Sequence, residues 1–333
     1  MTCPAVSAPQ SSLSPYNHRK DDTMSAAKTS VPVSTKKRDR RKNLIRNLIA
    51  YSFIAPNFIG FAVFTLIPMI MAIALSFIEW GGSWNTPIQF VGLNNFIRLF
   101  GDSKFLQALV NTIAYAVITV PLTMAASLGL AILLNQPIHA RNFFRTMMFF
   151  PYVASMVAVT AVWNMLFNPS MGPVNMILSS MGVEKLPRWS ADPNWFICMG
   201  TVILFSIWKF MGYYMIIYLA GLQGVNPELY EACSLDGANN WQRFWYVTLP
   251  QLRPTTFFVS VMLTIQCFKV YDIFLMITNF GPGGKTRVLV SYIYDNAFTS
   301  RNFGYASAIA MVLFVLVLIV TLVQFRGEKS MNQ

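Results

Sequence analysis

Charge is scarce in this sequence. Asp, Glu, Lys and Arg make up 11% of the 333 residues, hydrophobic residues make up 55%, and mean hydropathy is +0.48. A soluble domain carries about a quarter charged residues, so that class is excluded. Side chains that do chemistry are equally sparse. Cys3, Cys198, Cys233 and Cys267 have neither pairing nor metal-ligand spacing, and His18 and His139 stand alone. Neither a zinc centre nor a Cys–His nucleophile can be assembled from them, and no cofactor is expected. A phosphate-binding loop is missing too. GPGGKT, residues 281–286, resembles the end of one, but Asn279 stands where its first glycine belongs. That stretch also follows a membrane-type helix rather than a strand, so it reads as an external turn.

What the sequence does have is long uncharged runs. Windows 47–78, 105–140, 146–183 and 302–325 contain no Asp, Glu, Lys or Arg. Each exceeds the roughly 20 apolar residues that cross a bilayer core. Two more apolar stretches, 195–222 and 255–279, are interrupted by Lys209 and by Lys269 with Asp272. Six spans are therefore expected, over 48–78, 107–135, 146–168, 196–222, 255–279 and 304–325. In lipid they must be helical, because each segment has to satisfy its own backbone. The fold class is an all-α integral membrane protein. Its transmembrane domain occupies 47–326, between a disordered basic tail (1–46) and a short tail (327–333). Residues 1–46 carry no signal-peptide pattern and are too polar to bury a core.

Basic residues set the orientation. Lys36, Lys37, Arg38, Arg40, Arg41, Lys42 and Arg46 crowd the start of the first span, which makes that end cytoplasmic. Six spans return the C-terminus to the same side. The net charge of +12 is accounted for by this topology, and no nucleic-acid partner is expected.

Between the fourth and fifth spans lies a compact polar module, residues 223–254. Asn226-Pro227-Glu228 is a helix start: an N-cap, proline at the first helical position and a carboxylate at the positive end. The helix runs over 228–236, and Gly237 closes it in the left-handed conformation. A second helix follows from Asn239 or Asn240. Trp241, Phe244, Trp245, Thr248 and Leu249 fall on one face of it, and Pro250 is expected to end it.

EACSLDGANNWQRFWYVTLPQLRP, residues 231–254, closely resembles the EAA motif of permease subunits in ATP-binding-cassette (ABC) importers. Glu231, Ala232, Asp236, Gly237, Ala238, Phe244, Leu249, Pro250, Leu252 and Pro254 match it, and Cys233 stands for its second alanine. FVGLNNFIRLF (90–100), RNFFRTMMFFPYVASMVAVTAVWNMLF (141–167), IYLAGLQGVNPELYEA (217–232) and FGYASAIAMVLF (303–314) extend the resemblance to the carbohydrate-uptake branch of that family. ITNFGPGGKT (277–286) departs from it, since relatives read closer to Thr-x-Gly-Gly-Pro. The resemblance implies a type I importer permease fold with a cytoplasmic coupling helix, in a bacterial inner membrane. It implies as partners a second permease, two ATPase subunits, an external solute-binding protein and a sugar, with ATP hydrolysis on partner chains. The module would dock into the ATPase, Glu231 facing a basic residue there, while the aromatic face packs on the permease's own helix ends.

Polar groups inside spans usually face the bundle or a water-filled path. Lys209, Tyr213 and Tyr214 in span four, and Gln266, Lys269 and Asp272 in span five, are the expected lining of a cargo path. Lys269 and Asp272, three residues apart, could instead form a structural ion pair. The lysines leave an acidic sugar or sugar phosphate open as cargo. An ion-coupled secondary carrier would show inverted repeats and half-helices, and neither is visible in the sequence. An enzyme acting on lipid-linked sugars would need clustered acids, yet Glu228, Glu231 and Asp236 all fall in the module.

Overall fold

Lipid leaves a backbone no option but to bond with itself, and the computed structural model, which describes residues 35–82 and 87–331, is built from helices. One short antiparallel pairing interrupts them, β1 (Ile78–Glu79) with β2 (Gln89–Phe90), Ile78 opposite Phe90. The chain divides at Ala62 into two units. The first contributes α1 (Thr35–Phe61). In the second, α2 (Ile67–Leu75), α3 (Asn94–Gly101), α4 (Ser103–Asn135), α5 (Arg141–Val153), α6 (Met156–Leu166) and α7 (Pro173–Ser180) precede the module. Then come α8 (Trp195–Gln223), α9 (Pro227–Leu235), α10 (Asn240–Arg243), α11 (Leu249–Gln251), α12 (Arg253–Phe268), α13 (Asp272–Thr278), α14 (Leu289–Tyr294) and α15 (Phe303–Met331).

Four stretches are long and apolar enough to cross a membrane unbroken: Arg46–Leu75, Ser103–Asn135, Trp195–Gln223 and Phe303–Glu328. The other two expected spans are not straight. Span three bends by 100° between α5 and α6, and span five by 58° between α12 and α13. The expectation of no half-helices is thereby corrected. Pro151 inside α5 withholds one helical N–H just before the first bend, while Lys269–Asp272 interrupts the apolar run at the second. The tails need correction as well. Residues 35–46 are helical rather than disordered, since Lys and Arg lose little rotamer freedom in a helix. Residues 1–34 lie outside the described residues. At the other end α15 continues through 327–331, with 332–333 outside the description.

Helix α8 anchors the core. Phe205, Tyr214, Met215 and Tyr218 on it are buried, and Tyr115 of α4 donates to Ser206 Oγ at 2.8 Å. Against α5 the approach is closer still: a Cβ on Gly212 would collide with the carbonyl of Met148. GPGGKT forms a 3₁₀ turn over Pro282–Gly284, with Lys285 Nζ donating to the Pro193 carbonyl and Thr286 buried. It is a turn, as expected. Asn111 holds it, donating to the carbonyls of Lys285 (2.8 Å) and Arg287 (2.7 Å).

Asp102 joins three helices through one carboxylate. Its Oδ1 caps α4, accepting from the amides of Lys104 (3.0 Å) and Phe105 (3.4 Å). Its Oδ2 accepts from the hydroxyls of Tyr292 (2.5 Å) in α14 and Tyr305 (2.7 Å) in α15. Burial opposes the charge, but the two hydroxyls and two amides outweigh it and hold the carboxyl below its ordinary 3.8. On the other side of the bond, burial and Asp102 push the Tyr292 hydroxyl up to about 12. A carboxyl lowered on folding stabilises the fold above its unfolded value and stops doing so as pH falls through the folded one. Asp102→Asn should therefore lower the thermal midpoint in detergent by about 4 °C at pH 7, from roughly 2 kcal/mol of lost charge-assisted bonding. The gap should close as pH drops below 3.8. A gap that stays constant with pH would refute the charged clamp.

Candidate functional site

The module between α8 and α12 is braced at each joint. Asn226 caps α9, its side chain accepting from Glu228 N at 3.1 Å, with Pro227 at the first position. The helix closes on Asp236, and Gly237 follows at φ +76°. Gly237 N donates to Ser234 O (3.1 Å) and Ala238 N to Cys233 O (2.9 Å), the paired closing bonds of a Schellman motif. Asn239 and Gln242 then exchange bonds of 2.8 Å each in a capping box. Arg243 Nε reaches back to Ala238 O (3.2 Å), and the Tyr230 hydroxyl lies 3.1 Å from Thr248 Oγ1, tying α9 to the segment beyond the turn.

One expectation for this module fails and another holds only in part. Pro250 does not end the second helix: a π turn over Phe244–Thr248 leads into α11, which contains it, and the kink comes at Leu252. A π turn adds a residue to the turn and removes the i−4 geometry with which a proline ring would clash. The same extra residue rotates the face. Val247 and Thr248 turn inward, while Trp241 and Trp245 are 68% and 48% exposed and Tyr246 is 78% exposed. Trp241, Phe244 and Trp245 still touch one another, with ring centroids 5.5–6.0 Å apart. Trp241 thus faces outward, whereas Trp245 and Leu249 border a cavity shared with Arg253 and Phe257 of α12 and Gln324 and Glu328 of α15, so the expected packing on the chain's own helix ends holds for part of the face only. Glu231, Ala232, Asp236 and Gly237 are exposed; Ala238, Leu249 and Pro250 are half-buried.

The second candidate site is a cavity of about 410 Å³ where the two bends meet. Met156 opens α6 on one side; Gln266, Lys269, Tyr271 and Asp272 surround the break in span five, and Lys209 comes from α8. Of the expected path residues, Lys209, Gln266, Lys269 and Asp272 are therefore brought together. Tyr213 and Tyr214 do not line the cavity. Tyr214 donates to Gln266 Oε1 at 3.1 Å from behind, and Tyr213 stacks on Tyr152 of α5 at 4.4 Å. Lys269 and Asp272 are exposed and form no ion pair with each other. The break separates them: helical spacing of three residues does not exist across 269–271. Lys209 is buried and donates to the Pro151 carbonyl at 3.0 Å. Beyond the bends, α6 and α13 pair with each other, Asn164 Nδ2 donating to Met276 O at 2.9 Å. Pro151 was the sequence signal for the first bend. Tyr271 stands out in the sequence as a polar group within span five; Met156 gave no signal, because a methionine looks alike in a core and at a cavity.

Residues 101–333 match the family described as "Binding-protein-dependent transport system inner membrane component". The chain is 36% identical over 286 residues to the probable ABC transporter permease protein YurN of Bacillus subtilis, covering 85% of this chain and 97% of that one. It is 34% identical over 286 residues to the lactose transport system permease protein LacF of Rhizobium radiobacter, with coverages of 84% and 93%. A chain in the crystal structure of a bacterial alginate ABC transporter, complexed with alginate pentasaccharide-bound periplasmic protein, superposes with a TM-score of 0.77 at 25% identity. That match covers 88% of this chain and 98% of the other.

The caps predict where the module softens. Asn226→Ala should cost α9 about 1 kcal/mol, seen as roughly fivefold faster hydrogen exchange at the amides of 228–233, with 240–248 unchanged. Equal exchange in variant and parent would show that the cap does not hold the helix.

Proposed function

The chain belongs to the family of binding-protein-dependent transport system inner membrane components, as the permease subunit of an ABC importer, and from that premise we propose that its cargo is a sugar or oligosaccharide. The cavity at the two bends carries the proposal. Gln266 offers an amide, Lys269 and Asp272 offer charged hydrogen-bonding heads, and the Tyr271 ring stands beside them. Sugars need that mixture, since their hydroxyls take hydrogen bonds while their ring faces lie on aromatic groups. The relatives named for lactose and alginate support the same class. Broken helices alone would also suit an ion-coupled carrier. Membership in the importer family argues against that reading.

In this reading a second, similar permease completes the path, two ATPase subunits bind on the cytoplasmic side and an external binding protein delivers the sugar. The chain itself does no chemistry, and both termini are cytoplasmic. The module of α9 and α10 is the coupling element. Glu231 and the aromatic cluster of Trp241, Phe244 and Trp245 are its docking face, and Gly237 sets the angle at which that face is offered. The inner bracing of the module lets it pass a push along without melting, since few backbone groups are left to be traded with water.

Both halves can be tested on the assembled importer. A β-branched side chain costs about 1–2 kcal/mol in the left-handed region. Gly237→Val should insert normally and yet lose sugar uptake, with ATPase subunits weakly retained or uncoupled. Normal uptake and normal co-purification would remove the coupling role from this stretch. For the cargo path, Gln266→Ala should weaken apparent sugar affinity by about tenfold, or 1.4 kcal/mol, while leaving assembly intact. Unaltered affinity would place the path elsewhere.

A further inference from the structure

Lys209 carries a charge into a span, where insertion of a central lysine costs about 2.5–3.5 kcal/mol, and among the described residues it forms no ion pair with a carboxylate. Asp272 borders the same cavity, but no ion pair joins the two. The partner is a backbone atom. Pro151 lies in the last turn of α5, which is capped at Ala154 before the chain swings through 100° into α6. In an unbroken helix the carbonyl of Pro151 would accept from the amide of Ser155; the bend takes that amide away. Ala154 N still bonds Phe150 O at 3.0 Å, so the ladder ends one residue short of Pro151. The freed carbonyl receives the Lys209 ammonium at 3.0 Å. A cation at this position also faces the negative end of the α5 dipole.

We propose that Lys209 is a positioning residue that locks the bend of span three by capping the last turn of α5, and is not a ligand for the cargo. Two neighbouring contacts make α8 a template for that turn. Tyr213, one turn along α8, stacks on Tyr152 with an interplanar angle of 13°, and Gly212 lets the Met148 carbonyl come into contact. Lys209 fixes where α5 stops, and so where α6 sets out; the Asn164–Met276 bond fixes where α6 arrives. Met156, the first residue of α6, enters the cavity as a result. Removing the ammonium strands a carbonyl in an apolar setting, and the local remedy is to let the helix straighten and recover Ser155 as donor. The lock stands independently of which molecule occupies the cavity.

Spin labels at Phe143 of α5 and Met165 of α6, both exposed, report the bend in the assembled importer in lipid nanodiscs, free of nucleotide and sugar. The parent should give one narrow distance distribution. Lys209→Met, which keeps the stem and loses the donor, should broaden and lengthen it, and sugar uptake should lose about tenfold in maximal rate while apparent affinity stays within about twofold. Lys209→Arg should restore the narrow distance and most of the rate. If Lys209→Met does not assemble, Lys209→Gln, which keeps an uncharged donor, should give an intermediate width. An unchanged distance distribution in the Met or Gln variant would overturn the lock. So would a loss confined to sugar affinity, which would make Lys209 a cargo ligand.

Discussion

A peptide carbonyl in a bilayer has no water to fall back on, and the architecture follows from how this chain meets that constraint. Where a span is straight, the helix supplies the donor. Where it is broken, something else must. Lys209 serves the end of α5, and Asn164 brings the amide that joins α6 to α13. A cavity can exist at the bends because these substitutes keep the broken backbone satisfied. The charged and amide groups gathered there, Gln266, Lys269 and Asp272, are tolerable in a span for the same reason: they stand at an opening rather than in lipid.

Outside the apolar spans the constraint is reversed, since any frayed helix end can bond to water. The module of α9 and α10 nevertheless closes its ends internally, with the Asn226 cap, the Schellman turn at Gly237 and the Asn239–Gln242 box. Its outer surface carries the exposed carboxylate of Glu231 and the exposed ring of Trp241. A rigid interior under an adhesive exterior is the expected build of a part that bears force from another protein.

Much of this was legible in the sequence, and the failures share one cause. Span existence follows from composition: three of the four unbroken helices fall on uncharged windows, and the fourth, Trp195–Gln223, falls on the apolar stretch interrupted by Lys209. The start of α9 and the turn at Gly237 follow from residues acting within four positions of themselves, and both stand. The misreadings arise where a distant residue decides. The bend after Pro151 depends on Lys209, the π turn at 244–248 depends on packing that draws Val247 inward, and the supposed Lys269–Asp272 pair is parted by a break. A helical wheel drawn through such a point assigns one face to residues on both sides of it, and Trp241, expected inside with Thr248, lies exposed while Thr248 is buried.

The tie between Lys209 and Pro151 also imposes an order on biogenesis. Helix α6 has 11 residues and α13 has 7, so at 1.5 Å per residue neither covers the roughly 30 Å hydrocarbon core alone. A ribosome-bound chain thus presents residues 141–166 to the membrane as one apolar segment, and Lys209 emerges only after them. The bend is therefore acquired late: span three enters the bilayer without its partner and is folded into its final shape when span four arrives.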